Sequence, residues 1–224
     1  SGTVFNGIFY AFGGHYLDES GNVDLNNAGN KAALEWTKEL VDEKVIPAGL
    51  EIKDLRGLFA SGQLGIVFDG DMGRAAFRSS SGLDEAFDEK MGVAIIPVGE
   101  TGRSETVYTE HQLGVFAQSE NKEAAVRLVE YLISEEAMVK YHKSNAVLSA
   151  RESIATLPEM NEDTFMEVFN KQSETASPLP ATNAMFDNAM NEVTKAIERI
   201  MVNNEEIDTV LDETNATITE MYAE

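Results

Sequence analysis

The chain contains no cysteine, five prolines, one tryptophan and three histidines in 224 residues, and its basic side chains number fewer than half its acidic ones. Without cysteine there is neither a disulfide framework nor a thiolate zinc site. Stability then rests on the core alone, which suits a cytosolic protein and an exported one equally. The balance of 17 Lys and Arg against 39 Asp and Glu gives a formal net charge of -22. Phosphate backbones and anionic lipid surfaces bind basic patches, so no nucleic acid partner is expected. The acidity reads as solubility in variable salt rather than as a site for one cationic ligand. No apolar stretch approaches the roughly 20 residues of a membrane-spanning helix.

What remains is ordinary for a globular protein: 43% hydrophobic and 25% charged residues. The length suffices for one large domain or two lobes with interwoven connections. The opening Ser1-Gly2-Thr3 has neither Met nor the basic-then-apolar pattern of a secretory leader, and reads as a cut or processed end. Residues 4–17 are apolar and aromatic and break at Gly13-Gly14, and Asp18 to Asp24 reads as a hairpin turn. From Asn27 to about Lys44 apolar residues recur at helical spacing, with Asn26 or Asn27 as the cap and Trp36 on the apolar face as a core residue. A shorter helix, Ile52 to Ser61, closes at Gly62.

Three apolar runs, Leu64 to Phe68, Met91 to Pro97 and Leu113 to Ala117, are too short for helices and rich in branched residues, and predict buried strands. A helix follows Asp69-Gly70 and runs through Phe77. Lys122 to Lys143 predicts two helices hinged near Ser134, which caps the second. Beyond it the chain is helical except at Ala176 to Pro180, with the clearest helices at Asn183 to Val202 and Ile207 to Tyr222. Strands alternating with helices give an α/β class.

The order of these features resembles the C-terminal part of the family 1 extracellular solute-binding proteins, the group of maltodextrin-binding and multiple-sugar-binding components of ABC importers. The resemblance rests on Phe12-Gly13-Gly14 with the turn after it, and on Leu58-Phe59-Ala60-Ser61-Gly62-Gln63-Leu64-Gly65-Ile66-Val67 followed by Asp69-Gly70. It continues through Gly92 to Gly99 and through Val115 to Ala125 with Leu128 to Leu132 and Ser134-Glu135-Glu136. It implies a periplasmic-binding-protein-like (type II) two-lobe fold, here mostly the C-terminal lobe with a rich helical tail. By that analogy residues 1–105 are the first part of lobe two, residues 106–157 cross to lobe one, and residues 158–224 return to lobe two. Roughly 100 to 150 residues of a full-length member, by domain sizing, would precede this sequence, so that most of lobe one lies outside it.

The resemblance also implies a function and a set of ligand contacts. The function is extracellular or periplasmic binding of a mono- or oligosaccharide for delivery to the membrane subunits of an ABC importer. The protein would be a monomer, lipid-anchored in its full-length form, with no cofactor. A non-sugar solute, peptide or cationic, and a truncated fragment that binds nothing are the alternatives. The loop after the Leu64 run reaches the cleft in this family, which nominates Asp69, Asp71, Met72 and Arg74, with Met72 where an aromatic platform would stand. The competing reading makes Asp69 a helix cap and sets Arg74 on a wet face. Glu110 and His111 lie on the lobe crossing, and contact ligand or fill the hinge. Phe186 resembles a second stacking residue beside Asn183 and Asp187, and is equally in register with Met190 and Val193 as core. Thr3, Phe5 and Asn6 match a further cleft-lining segment.

No catalytic or metal-binding constellation stands out. The acidic turn at Asp18 to Asp24 lacks the distal bidentate Glu of an EF-hand, His15, His111 and His142 have no paired ligand spacing, and no phosphate-binding glycine loop is present. Carboxylates are so abundant that any two could be nominated as a hydrolase pair, which makes the nomination empty.

Overall fold

The computed structural model describes residues 2–145 and 147–223, with side chains for all of these except Gly2, Thr3, Val4, Glu159 and Asn161. The candidate Thr3 therefore lies, in its side chain, outside the described residues. The elements run α1 (Gly2–Ala11), α2 (Ala28–Asp42), α3 (Ile52–Ala60), α4 (Gly73–Ser81), a 3₁₀ helix (Asp84–Lys90) and β1 (Thr106–Tyr108). There follow α5 (Lys122–Leu132), α6 (Glu135–Asn145), α7 (Glu152–Ala155), α8 (Pro158–Asn161), α9 (Thr164–Ser173), β2 (Ala176–Pro178), α10 (Phe186–Met201) and α11 (Ile207–Ala223). The chain divides into two compact units, one of residues 1–55, 96–108 and 175–224, the other of residues 56–95 and 109–174.

The first unit holds the main core. On α10, Ala189, Val193, Ala196 and Ile200 recur at helical spacing and are all buried, so one apolar stripe faces inward. Against it lie Phe9 of α1, Leu34 of α2 and Val210, Leu211 and Ile218 of α11. The alanines keep that stripe narrow, and α10 contacts α1, α2 and α11 together. Asn27 caps α2 as expected, its Oδ1 accepting from the Asn30 amide at 2.9 Å.

Two glycines make the α1–α2 corner possible. A Cβ on Gly14 would stand 2.0 Å from Asn30 Oδ1, and one on Gly29 would stand 2.3 Å from the Gly14 nitrogen. Asn30 is fully buried, and its Nδ2 donates to the carbonyls of His15 at 2.7 Å and Leu25 at 3.0 Å. The expected turn at Asp18 to Asp24 forms, with an antiparallel bridge between Leu17 and Val23 and the Asp18 carboxylate accepting from the Asn22 amide at 2.8 Å. Burial pushes the Tyr16 phenol up, and its hydroxyl donates to the buried Oδ1 of Asn6.

Strand placement differs from the expectation. Among the described residues only β1 and β2 form a ladder, parallel, pairing Thr106 with Ala176 and Tyr108 with Pro178. The runs Leu64 to Phe68, Met91 to Pro97 and Leu113 to Ala117 belong to no ladder, and Ile66 and Phe116 are each 78% exposed. Apolar, branched composition favours an extended backbone, but a strand also needs a neighbour to pair with. Trp36 is likewise more open than expected, its ring tilted against Phe12 at 5.6 Å.

The second unit is built from local contacts. Phe59 of α3 packs on Phe77 of α4 at 4.8 Å and on Phe87 of the 3₁₀ helix at 6.2 Å. The helix α4 stops at Gly82, whose φ of +68° suits the left-handed cap. The break between α5 and α6 falls at Ser134 as expected, and its hydroxyl accepts from the Ala137 amide at 3.4 Å. Ile154, Met160 and Met166 are buried, and the buried His142 uses Nδ1 on the Val147 carbonyl at 2.7 Å. His142 is a structural histidine.

Candidate functional site

The loop from Asp69 to Arg74 in the second unit is fixed at several points. Arg56, one turn from the end of α3, grips the Asp69 carboxylate with two parallel bonds, Nε to Oδ2 at 2.6 Å and Nη2 to Oδ1 at 2.8 Å. Such two-pronged, charge-assisted contacts fix orientation as well as distance. The same Asp69 Oδ1 accepts from the Gly70 amide at 2.8 Å, and the Asp69 side chain is 9% exposed. Gly73 begins α4 directly against this carboxylate: a Cβ there would stand 2.6 Å from Asp69 Oδ2. Asp71 is also engaged at both oxygens, by the Met72 amide at 2.8 Å and by the Leu148 amide at 3.0 Å.

Arg74 is drawn away from the loop tip into an ion-pair network. Its guanidinium bonds Asp88 and Asp163 and lies 4.8 Å over the Phe165 ring. Asp163 in turn caps α9 by accepting from the Phe165 amide at 3.0 Å, and Arg78 Nε reaches Asp88 Oδ1 at 2.8 Å. The Arg78 hydrogen bonds, offset by some burial and reinforced by Arg74, hold the Asp88 carboxyl at about 2, well below the usual carboxylate value. Met72 carries no such commitment in its side chain. It is 44% exposed at the head of α4.

Also in the second unit, His111 Nδ1 lies 3.1 Å from the Tyr141 hydroxyl, and both side chains are exposed. Glu110 is exposed, its Oε1 accepting from Gln112 Nε2 at 2.8 Å. In the first unit Asn183 Oδ1 accepts from the Met185 amide at 2.8 Å and leads the chain into α10. Phe186 is 8% exposed and Asp187 is exposed. Asn6 is buried beneath Tyr16, and Phe5 packs edge-on against Phe9 at 5.2 Å. The nominated residues thus fall into two groups, Asp69 to Arg74 with Glu110 and His111 in one unit, Asn183, Phe186 and Asp187 in the other.

Six residues of these arrangements escaped the sequence reading of the site: Arg56, Arg78, Asp88, Asp163, Phe165 and Tyr141. Arg56 and Asp69 lie 13 residues apart and His111 and Tyr141 lie 30 apart, spacings that no helical or strand period marks. Asp163 carried the one usable signal, a capping residue ahead of a helix.

A groove of about 550 Å³ lies elsewhere in the first unit, between α2 and the start of α11, and contains none of the nominated residues. Its lysines are already paired, Lys31 with Asp208 at 2.5 Å and Lys38 with Asp42 at 2.7 Å. Among the described residues no group of His, Asp and Glu could hold a metal ion, and no helix is long and apolar enough to cross a membrane.

Several known proteins are similar to this chain. Residues 3–168 match the family described as bacterial extracellular solute-binding proteins. Curated proteins of Brucella abortus (strain 2308) and Brucella suis biovar 1 (strain 1330), each named only as a candidate binding protein, are 26% identical over 151 residues, 66% of this chain and 36% of theirs. Among solved structures, the sugar-binding protein MalE of Xanthomonas citri superposes with a TM-score of 0.81 at 18% identity, over 100% of this chain and 56% of that one. Maltose-bound MalE3 of Thermotoga maritima gives 0.80 at 22% identity, over 98% and 56%. A solute-binding protein of Thermotoga lettingae bound to α-D-tagatose gives 0.80 at 15% identity, over 99% and 56%. At such identities the likeness is one of fold, the α/β periplasmic-binding-protein fold of type II. The chain spans about a third of the length of the curated relatives and just over half that of the structures. By the match over most of its length the chain belongs to the bacterial extracellular solute-binding proteins.

Proposed function

We propose that this chain forms part of a carbohydrate-binding protein that holds a mono- or oligosaccharide for an ABC importer outside the cytoplasm. The observation that carries the reading is the family match over residues 3–168, joined by structural likeness to proteins described as binding sugars. The Asp69 to Arg74 loop fits that role through Met72. A sugar ring has an apolar face, and a polarisable thioether held out from a fixed backbone offers a surface for it. Asp69, Asp71 and Arg74 contribute by shaping the loop. In the same unit Glu110 and His111, both exposed, supply hydrogen-bonding groups of the kind hydroxyls require. In the other unit Phe186 stands at the head of α10, with Asn183 turning the chain into it and Asp187 exposed beside it.

A second reading, a cationic or peptide solute, draws on the net charge of -22. Calorimetry with maltose, tagatose, longer maltodextrins and a set of polyamines and short basic peptides separates the two. Saturable heat with a saccharide and no product formed is the expected outcome. Heat with the cations alone would replace the sugar reading, and no heat with any probe would leave the chain as a non-binding fragment.

A further inference from the structure

Within the Asp69 to Arg74 loop the charged side chains point to protein partners, and the apolar one does not. The parts that impose this lie largely outside the loop. Arg56 on α3 closes two bonds of 2.6 and 2.8 Å on the Asp69 carboxylate, and Gly73 leaves room for that carboxylate against the start of α4. Asp71 spans the tip, taking the Met72 amide on one oxygen and the Leu148 amide on the other. Met72 therefore sits between a clamp on its N-terminal side, a tie across its own backbone, and a helix that begins at the next residue.

From this geometry we infer that Arg56 is a positioning residue: by clamping Asp69 against Gly73 it fixes the backbone that holds Met72 out as the loop's apolar contact surface. The inference rests on the reading of this loop as the ligand-facing one. Its physical basis is general. A flexible tip that becomes ordered only on binding loses affinity to that ordering, and a pre-set one does not. Lysine at position 56 would keep the charge but not the planar two-pronged contact, so it would hold the carboxylate without fixing its orientation.

The nine methionines provide the test, because Met72 is exposed while Met160, Met166 and Met201 are buried. The chain is labelled with ¹³C at the methionine methyl groups, and the Met72 resonance is assigned with Met72→Leu. In Arg56→Gln, without ligand, the Met72 methyl resonance is expected to move by more than its linewidth towards free methionine and to sharpen, while Met160, Met166 and Met201 stay in place. Arg56→Lys should recover part of the displacement. An unmoved Met72 resonance in Arg56→Gln would overturn the inference. Should Arg56→Gln also displace Met160 and Met166, the nearly isosteric Asp69→Asn repeats the test, and a second displacement of all three would show Arg56 to be a general support of its unit and not a positioning residue. Since the measurement needs no ligand, an unmoved resonance leaves solute binding standing, and a chain that binds no sugar leaves the clamp of Arg56 on Asp69 standing while removing the loop's role as a contact surface.

Discussion

The two units of the chain hold themselves together by different means. The first buries a continuous apolar cluster in which Phe9, Leu34, Ile200 and Val210 are almost wholly removed from water. In the second, neither α5 nor its share of α3, from Arg56 on, has a single buried residue, and apolar runs such as Leu64 to Phe68 face solvent. Its cohesion comes from small apolar contacts such as the Phe59, Phe77 and Phe87 cluster, and from the guanidinium–carboxylate contacts of Arg56, Arg74 and Arg78. Apolar burial is non-directional and insensitive to pH, whereas the charged contacts fix orientation and depend on ionisation. The candidate loop is in the second kind of environment, which gives it a defined shape without a deep core beneath it.

The contrast can be broken most forcefully from the apolar side. Truncating Ile200→Ala at the centre of the first unit should cost about 2–5 kcal/mol, the usual range for a buried large-to-small change. Urea unfolding followed by the fluorescence of Trp36, the one tryptophan and a member of that unit, measures it. A loss below about 1 kcal/mol would mean that the stripe of α10 is not the core it is taken to be.

A smaller and more selective effect is expected from acid. The Asp88 carboxyl is held at about 2, below its ordinary value of 3.8, by Arg78 and Arg74. A depressed carboxylate contributes stability that is complete above the unfolded value and is lost as pH falls through the folded one. The second unit should therefore weaken between about pH 4 and pH 2, seen as faster amide exchange in α4 and α9, and Asp88→Asn should remove much of that dependence. Equal acid sensitivity in native and Asp88→Asn chains would assign the weakening to other carboxylates.

The same contrast explains what could be read from the sequence. Local rules worked where local chemistry decides the outcome: Asn27 at the head of α2, the Asp18 turn, Gly62 after α3, and Ser134 between α5 and α6. The amphipathic stripes of α10 and α11 were equally plain, since their apolar spacing alone marks a buried face. The strands were not. Apolar runs announce an extended chain but not its partner, while the residues that do pair, Thr106-Val107-Tyr108 and Ala176-Ser177-Pro178, have nothing in their composition that would single them out. For the candidate site, the loop itself was legible through its resemblance to the family. The clamp from Arg56 and the network from Asp88 and Asp163 were not, because they join residues 13, 14 and 89 positions apart.

Met72 offers the most direct measurement of the account as a whole. Maltose and the other saccharides are titrated into the methionine-labelled chain while the methyl resonances are followed. The Met72 methyl should shift saturably with one of them, with Met166 and Met201 unmoved. A saccharide that binds with saturable heat yet leaves the Met72 methyl at its unliganded position would contradict the assignment of this loop as the ligand-facing surface.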